Sequence, residues 1–203
     1  MTNENLKTIL DQEEEDLRIK DPVEIAFNIA KYAHRNQSRV NGDPYFTHPL
    51  GMLEYFRNIF CNSTNPYKRE AMRDNGIPYI GVQEVILLHD VLEDCVVTLD
   101  DIRNEFKKEG FEKYFDDYIS KPLRLITHDK QERYEDYICK LMTDPVASLV
   151  KMLDLQNNLD LLKLTRFEGY EYDRATRYVK YFKMINDKHH YVEKIYYFME
   201  DIK

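Results

Sequence analysis

The sequence predicts an all-α domain. Three observations carry this expectation. Six glycines and seven prolines are few for 203 residues, strand-like alternation of apolar and polar residues is scarce, and segment after segment opens on a capping residue and repeats its apolar side chains at helical spacing. Hydrophobic residues make up 43% and charged residues 33%, which marks a globular rather than a disordered chain. A chain of this length can bury a core without disulfides or structural zinc.

The elements follow in order. Residues 4–18 read as an acidic helix or arm whose EEED cluster is a solvated face. Pro22 opens a helix over DPVEIAFNIAKYAHRNQ, with Ile25, Ile29, Tyr32 and Ala33 on one stripe. VNGDPYFTHP ends it, with a turn signal at Asn41–Gly42 and loop geometry set by Pro44 and Pro49. A helix follows over GMLEYFRNIF, then a polar, turn-rich stretch at 61–78 with room for one short helix. A buried helix is expected over roughly 79–94. Thr98 and Asp101 form a capping-box-like start, and Gly110 a stop, for a helix over 99–109. Helices are expected at 111–126 and 130–143. Asp144–Pro145 is an N-cap followed by proline at the first helical position, opening a helix over 145–164. Segments 172–186 and 188–202 complete a single domain over residues 1–203.

Composition excludes several classes. The formal net charge is −8, unlike the basic field of a general nucleic-acid binder, so no nucleic-acid partner is expected. An anionic small substrate needs only a local basic pocket. Cys61, Cys95 and Cys139 are scattered and odd in number, which argues against a disulfide framework or a cysteine zinc site. No apolar run reaches membrane-spanning length, and the N-terminal segment lacks a signal-peptide core. The expected setting is the cytoplasm, with no membrane partner.

Chemistry concentrates in LLHDVLEDC, residues 87–95, where His89, Asp90, Glu93 and Asp94 sit in an apolar run. A buried carboxylate is costly unless it is paired or holds a metal. On a helix, positions four apart share a face, which stacks His89 under Glu93 and Asp90 under Asp94. Imidazole nitrogen and carboxylate oxygen together suit Mn²⁺, Fe²⁺ or Zn²⁺. An isolated His-Asp pair is more simply a core histidine beside surface acids. His48 in PYFTHP and Asp154 in VASLVKMLDLQNNLDLL alter that balance. Each is an ionisable group in a proline-fixed or apolar context, and Asn158 follows Asp154 one turn later on the same face. The set His48, His89, Asp90 and Asp154 gives the order H…HD…D.

That order resembles the HD-domain superfamily of metal-dependent phosphohydrolases. More narrowly, AHRNQSRVNGDPYFTHPL, LLHDVLEDC followed by TLDDIRNEF, RLITH, VKMLDLQNNL and EGYEYDRATRYVKYF resemble motifs of the RelA/SpoT-type alarmone hydrolases, including their stand-alone small forms. The likeness covers about residues 22–186. It implies an all-α HD-domain bundle holding a divalent metal, usually Mn²⁺, on His48, His89, Asp90 and Asp154. It implies that Glu93 and Asp94 handle the catalytic water, that Arg39 lies near the guanine base, and that Asn158 contacts substrate. Lys151 and Arg174 match basic positions that could face phosphates. The implied reaction converts ppGpp or pppGpp into GDP or GTP and pyrophosphate, by metal-assisted hydrolysis with a carboxylate accepting the proton.

Departures accompany the likeness. The spacing from His48 to His89 is wider than the family's, with the excess in residues 58–80, where it could reshape the pocket mouth or support an oligomer. Leu161 stands where the family often has a small polar residue. The length leaves no room for a synthetase domain, which implies a hydrolase-only form. Other HD-domain phosphohydrolases, acting on NADPH or deoxynucleotides, share the ligand order, and a non-catalytic nucleotide sensor could use the same fold.

Overall fold

The computed structural model describes residues 21–61, 68–159 and 169–201. The expected acidic arm at 4–18, the position of Leu161 and part of the 58–80 excess lie outside these residues. Among the described residues the chain is helical, with one isolated antiparallel bridge, Ser38 to Pro44, and no strand.

Helix α1 (Pro22–Ala33) starts on Asp21, whose carboxylate accepts from the Glu24 N–H, with proline at the first position. It buries Ile25, Ala26 and Ala30. Tyr32, expected on that stripe, is 66% exposed because its ring is turned outward beneath the Arg35 guanidinium at 3.9 Å. Helix α2 (Thr47–Phe60) begins earlier than expected. Pro49 sits in its first turn, where a missing N–H leaves nothing unpaired. Helix α3 (Lys68–Asp74) is the short helix of the polar stretch.

The helix expected over 79–94 is two helices, α4 (Val82–Leu88) and α5 (Val91–Asp94). The local cause is the His89 ring. Its Nδ1 lies 2.8 Å from the Ile86 carbonyl, which a continuing helix would present to the N–H of residue 90. Asp90 takes φ −96°, ψ −7° at the joint. Helix α4 is central, with Val82, Val85, Ile86, Leu87 and Leu88 fully buried, and its one buried acid, Glu84, accepts from the Tyr114 hydroxyl at 2.9 Å. Each such apolar side chain contributes on the order of 2 kcal/mol relative to exposure.

Helix α6 (Leu99–Lys108) carries the expected capping box of Thr98 and Asp101 and stops before Gly110 at φ +81°. The single helix expected over 111–126 is α7 (Glu112–Tyr114), a π-helical segment Phe115–Ile119, and α8 (Ser120–Ile126). The π segment packs against the start of α4. A Cβ on Gly81, which has φ +79°, would lie 2.6 Å from the Tyr118 carbonyl oxygen. Helix α9 (Tyr134–Leu141) is shorter than the 130–143 expectation because a turn closed by Glu132 N–H to Asp129 carbonyl precedes it. Helix α10 (Pro145–Asn158) is capped by Asp144, which accepts from the Val146 and Ala147 amides. Helices α11 (Gly169–His189) and α12 (Tyr191–Asp201) meet at His190, with φ +54°.

Helix α4 packs against α1, α2, α8 and α10, while α10 also packs against α2 and α11. The C-terminal end of α4, the N-terminal turn of α2 and the C-terminal half of α10 therefore converge on one place. No helix of the described residues is long and apolar enough to cross a membrane.

Candidate active site

His48 enters from the first turn of α2, His89 and Asp90 from the joint between α4 and α5, and Asp154 from α10. His48, His89 and Asp154 are all buried, and one ligand atom from each lies within 4.8 Å of the others. His48 Nε2 is 3.1 Å from Asp154 Oδ1 and 3.8 Å from Asp90 Oδ2. His89 Nε2 is 3.1 Å from Asp90 Oδ2 and 3.9 Å from Asp154 Oδ1.

Both imidazoles are turned the same way. The Ile86 carbonyl can only accept, so His89 Nδ1 donates to it and leaves Nε2 facing the cluster. His48 Nδ1 pairs with Asn157 Oδ1 at 3.0 Å, with the same result. His89 Nε2 is nevertheless buried without an aligned hydrogen bond, so its approach to Asp90 is a charge contact. A buried polar atom left in this condition costs about 1–3 kcal/mol. An electrophile between the rings and carboxylates would satisfy it. Two imidazoles and two carboxylates, each already oriented by an outer partner, fit a divalent metal ion.

The electrostatics point the same way. Burial would lower His89, but the Asp90 and Asp154 carboxylates outweigh it and hold it at about 9. Burial opposes ionisation of Asp90 and Asp154, yet His89 holds Asp90 at about 2, and Lys151 with the histidines holds Asp154 well below the usual carboxylate range. Both carboxylates are thus ionised, balanced in the metal-free site by a protonated His89 and by Lys151, so a metal ion would take the place of the His89 proton.

The remaining expected residues fall in different places. Glu93 and Asp94 line the same cavity, of about 410 Å³, as His48, Asp90 and Asp154. Burial pushes the Glu93 carboxyl upward, against the opposing hydrogen bond it accepts from the His128 N–H at 3.2 Å. Arg39, Asn158 and Arg174 also line the cavity. Arg39 Nη2 reaches Asn158 Oδ1 at 3.4 Å, and Asn158 Nδ2 donates to Asp154 Oδ1 at 2.6 Å.

Lys151 is placed otherwise than a phosphate-facing residue. It lies behind Asp154, donating to Oδ2 at 2.8 Å, with Tyr134 and Tyr137 rings about its ammonium. Burial would lower its pKa, but Asp154 and the two phenols outweigh this and keep it charged. The i, i+3 spacing on α10 turns Lys151 towards its own helix neighbour.

Sequence reasoning missed Tyr45, Asn157, the His128 backbone and Tyr178. Tyr45 donates to Asp90 Oδ2 at 2.7 Å, and Tyr178 lines the cavity. Tyr45 and Asn157 each stand three residues from an expected ligand, and that spacing was the available signal. His128 acts through a main-chain amide, which no side-chain pattern reveals.

No protein-family model matches the chain. Curated relatives do. Human and mouse MESH1, both named guanosine-3′,5′-bis(diphosphate) 3′-pyrophosphohydrolase, are 28% identical over 163 residues, covering 77% of this chain and 78% of theirs. The chain resembles the RelA/SpoT-type hydrolases. The bifunctional (p)ppGpp synthase/hydrolase SpoT of Escherichia coli is 28% identical over 141 residues, 68% of this chain. The Vibrio cholerae 3′-pyrophosphohydrolase is 25% identical over 145 residues, 70% of this chain. The chain spans 17% and 18% of the length of these two bacterial RelA/SpoT-type proteins. A solved structure described as a metazoan ortholog of SpoT that hydrolyses ppGpp superposes with a TM-score of 0.58 at 20% identity, covering 90% of this chain and 94% of that one. The two chains therefore share one all-α fold.

Proposed function

We propose that this protein is a metal-dependent phosphohydrolase that converts ppGpp or pppGpp into GDP or GTP and pyrophosphate. The observation that supports this reading best is the convergence of His48, His89, Asp90 and Asp154 beneath a cavity that also holds Glu93, Asp94, Arg39 and Arg174. The names of the relatives supply the substrate class.

In this reading His48, His89, Asp90 and Asp154 hold Mn²⁺, with Fe²⁺ or Zn²⁺ as chemically similar occupants. The bound ion supplies polarisation of a phosphoryl oxygen and a lowered pKa for its water. The chain supplies the rest. Glu93 takes the proton of the attacking water; its upward-shifted carboxyl is a better base than an exposed glutamate, and the His128 amide fixes its direction. Asp94 orients the water. Arg174, on the cavity wall, offers a guanidinium to the phosphates, and Arg39 with Asn158 is placed to meet the nucleoside. The protein works on a small nucleotide, in the cytoplasm, through this HD domain.

The test offers purified protein ppGpp, NADPH and a panel of deoxynucleoside triphosphates with Mn²⁺ and identifies the phosphates released. Pyrophosphate from ppGpp supports the proposal. Phosphate from NADPH or triphosphate from a deoxynucleotide, with ppGpp untouched, contradicts it.

A further inference from the structure

Tyr45 sits at a crossing point that the reaction as described does not use. It lies in the loop between α1 and α2, and its N–H donates to the Gln37 carbonyl at 2.9 Å. Its ring stacks on His34 at 4.7 Å between centroids and meets His48 edge-on at 6.2 Å. Its hydroxyl lies 2.7 Å from Asp90 Oδ2 and 3.3 Å from Asp94 Oδ2. One phenol thus spans the joint between α4 and α5, touching a carboxylate of the ion cluster and one of the cavity acids.

That joint needs an external hold. Helix α4 ends at Leu88, and α5 has a single turn, too short to fix its own direction. The α1–α2 loop supplies two anchors to it. Gln37 Nε2 donates to the Asp94 carbonyl at 2.7 Å, fixing the backbone, and Tyr45 fixes the side chains. His34 is buried and its Nδ1 bonds Gln37 Oε1 at 2.7 Å, so the ring beneath Tyr45 is itself held. Every other member of the cluster has an outer partner of its own: Ile86 carbonyl for His89, Asn157 for His48, and Lys151 with Asn158 for Asp154. Asp90 has Tyr45.

We infer that Tyr45 is a positioning residue that ties the metal-binding carboxylate Asp90 to the water-orienting carboxylate Asp94, so that metal affinity and turnover depend on one hydroxyl. This rests on the proposed metal site. Loss of an outer partner of a metal ligand typically costs 10–100-fold in affinity or activity.

Tyr45→Phe keeps the ring, its stacking and its volume, and removes only the hydroxyl. Mn²⁺ binding by calorimetry is expected to weaken about 10-fold or more in a variant that remains folded. kcat on ppGpp at saturating Mn²⁺ should remain depressed by about 10-fold, because excess metal refills the site without restoring Asp94. Unchanged Mn²⁺ affinity, or full recovery of kcat at saturating Mn²⁺, overturns the inference. If wild-type protein itself fails to bind Mn²⁺, the metal reading fails first and takes this inference with it. Should Tyr45→Phe not fold, Tyr45→Met, which fills similar space with a flexible apolar chain, is measured in the same way and decides by the same two outcomes.

Discussion

His48 and Asp154, from helices α2 and α10, meet at 3.1 Å between Nε2 and Oδ1, and the Asp90 carboxylate lies 3.8 Å from the same nitrogen. Residues distant in the sequence are thereby concentrated into a space of ligand-sphere dimensions. The consequences of that convergence can be separated by substitution.

In the proposed function Asp90 is a charge-bearing ligand, and Asp90→Ala should reduce Mn²⁺ binding below detection by calorimetry. In the same reading Glu93 is the proton acceptor and takes no part in the ligand set. Glu93→Ala should bind Mn²⁺ as the wild type does and lose about 10²–10⁴-fold in kcat. Two fully active variants would show that the residues are assigned wrongly.

Metal binding should be strongly pH-dependent. An imidazole must be neutral to donate to a metal, and the neighbouring carboxylates hold His89 protonated up to about pH 9. Below that pH the ion must displace a proton. Apparent affinity is therefore expected to fall as pH is lowered from about 9, and binding at neutral pH should release protons. Calorimetry in buffers of different ionisation enthalpy reads this directly. A pH-independent affinity between 6 and 9 would contradict it.

Lys151 is the foremost buried counter-charge to Asp154, so its removal leaves that carboxylate with only the histidines and Asn158 beside it. Lys151→Met is expected to destabilise the apoprotein by about 3–5 kcal/mol, seen in urea denaturation. Added Mn²⁺ should recover part of that loss by supplying the missing positive charge. If Lys151 served phosphate instead, the variant would keep its stability and raise only KM.

Gly81 opens α4 in a left-handed conformation, and a side chain there would strike Tyr118. Gly81→Ala should cost about 3 kcal/mol or more from strain and clash together, measured by chemical denaturation. A neutral result would mean that the π segment yields freely.

Much of this arrangement is legible in the sequence, for identifiable reasons. Caps are local, so Asp21, Thr98 with Asp101, Asp144 with Pro145, and Gly110 mark helix ends from a few residues of context. The ionisable groups of the site stand out because they interrupt apolar surroundings. What could not be read depends on non-local contacts or on competition for one acceptor. A helix through 79–94 fits the periodicity, but the His89 ring claims the Ile86 carbonyl and the helix divides. Tyr32 fits the α1 stripe, but the helix ends one residue later and Arg35 covers the ring outside. Lys151 looks like any cation near a phosphate site until its helix turns it onto Asp154. Tyr45 is one of 16 tyrosines, and only the fold shows that its hydroxyl meets two acids.

The most direct test of the central claim is the product of ppGpp hydrolysis with and without metal. Chelated protein is incubated with ppGpp, Mn²⁺ is then restored, and pyrophosphate and GDP are quantified for wild type and Asp154→Ala. The proposed function predicts equimolar pyrophosphate and GDP from the wild type only after Mn²⁺ is restored, and none from the variant. Turnover that survives chelation, or an Asp154→Ala variant as active as the wild type, would contradict it.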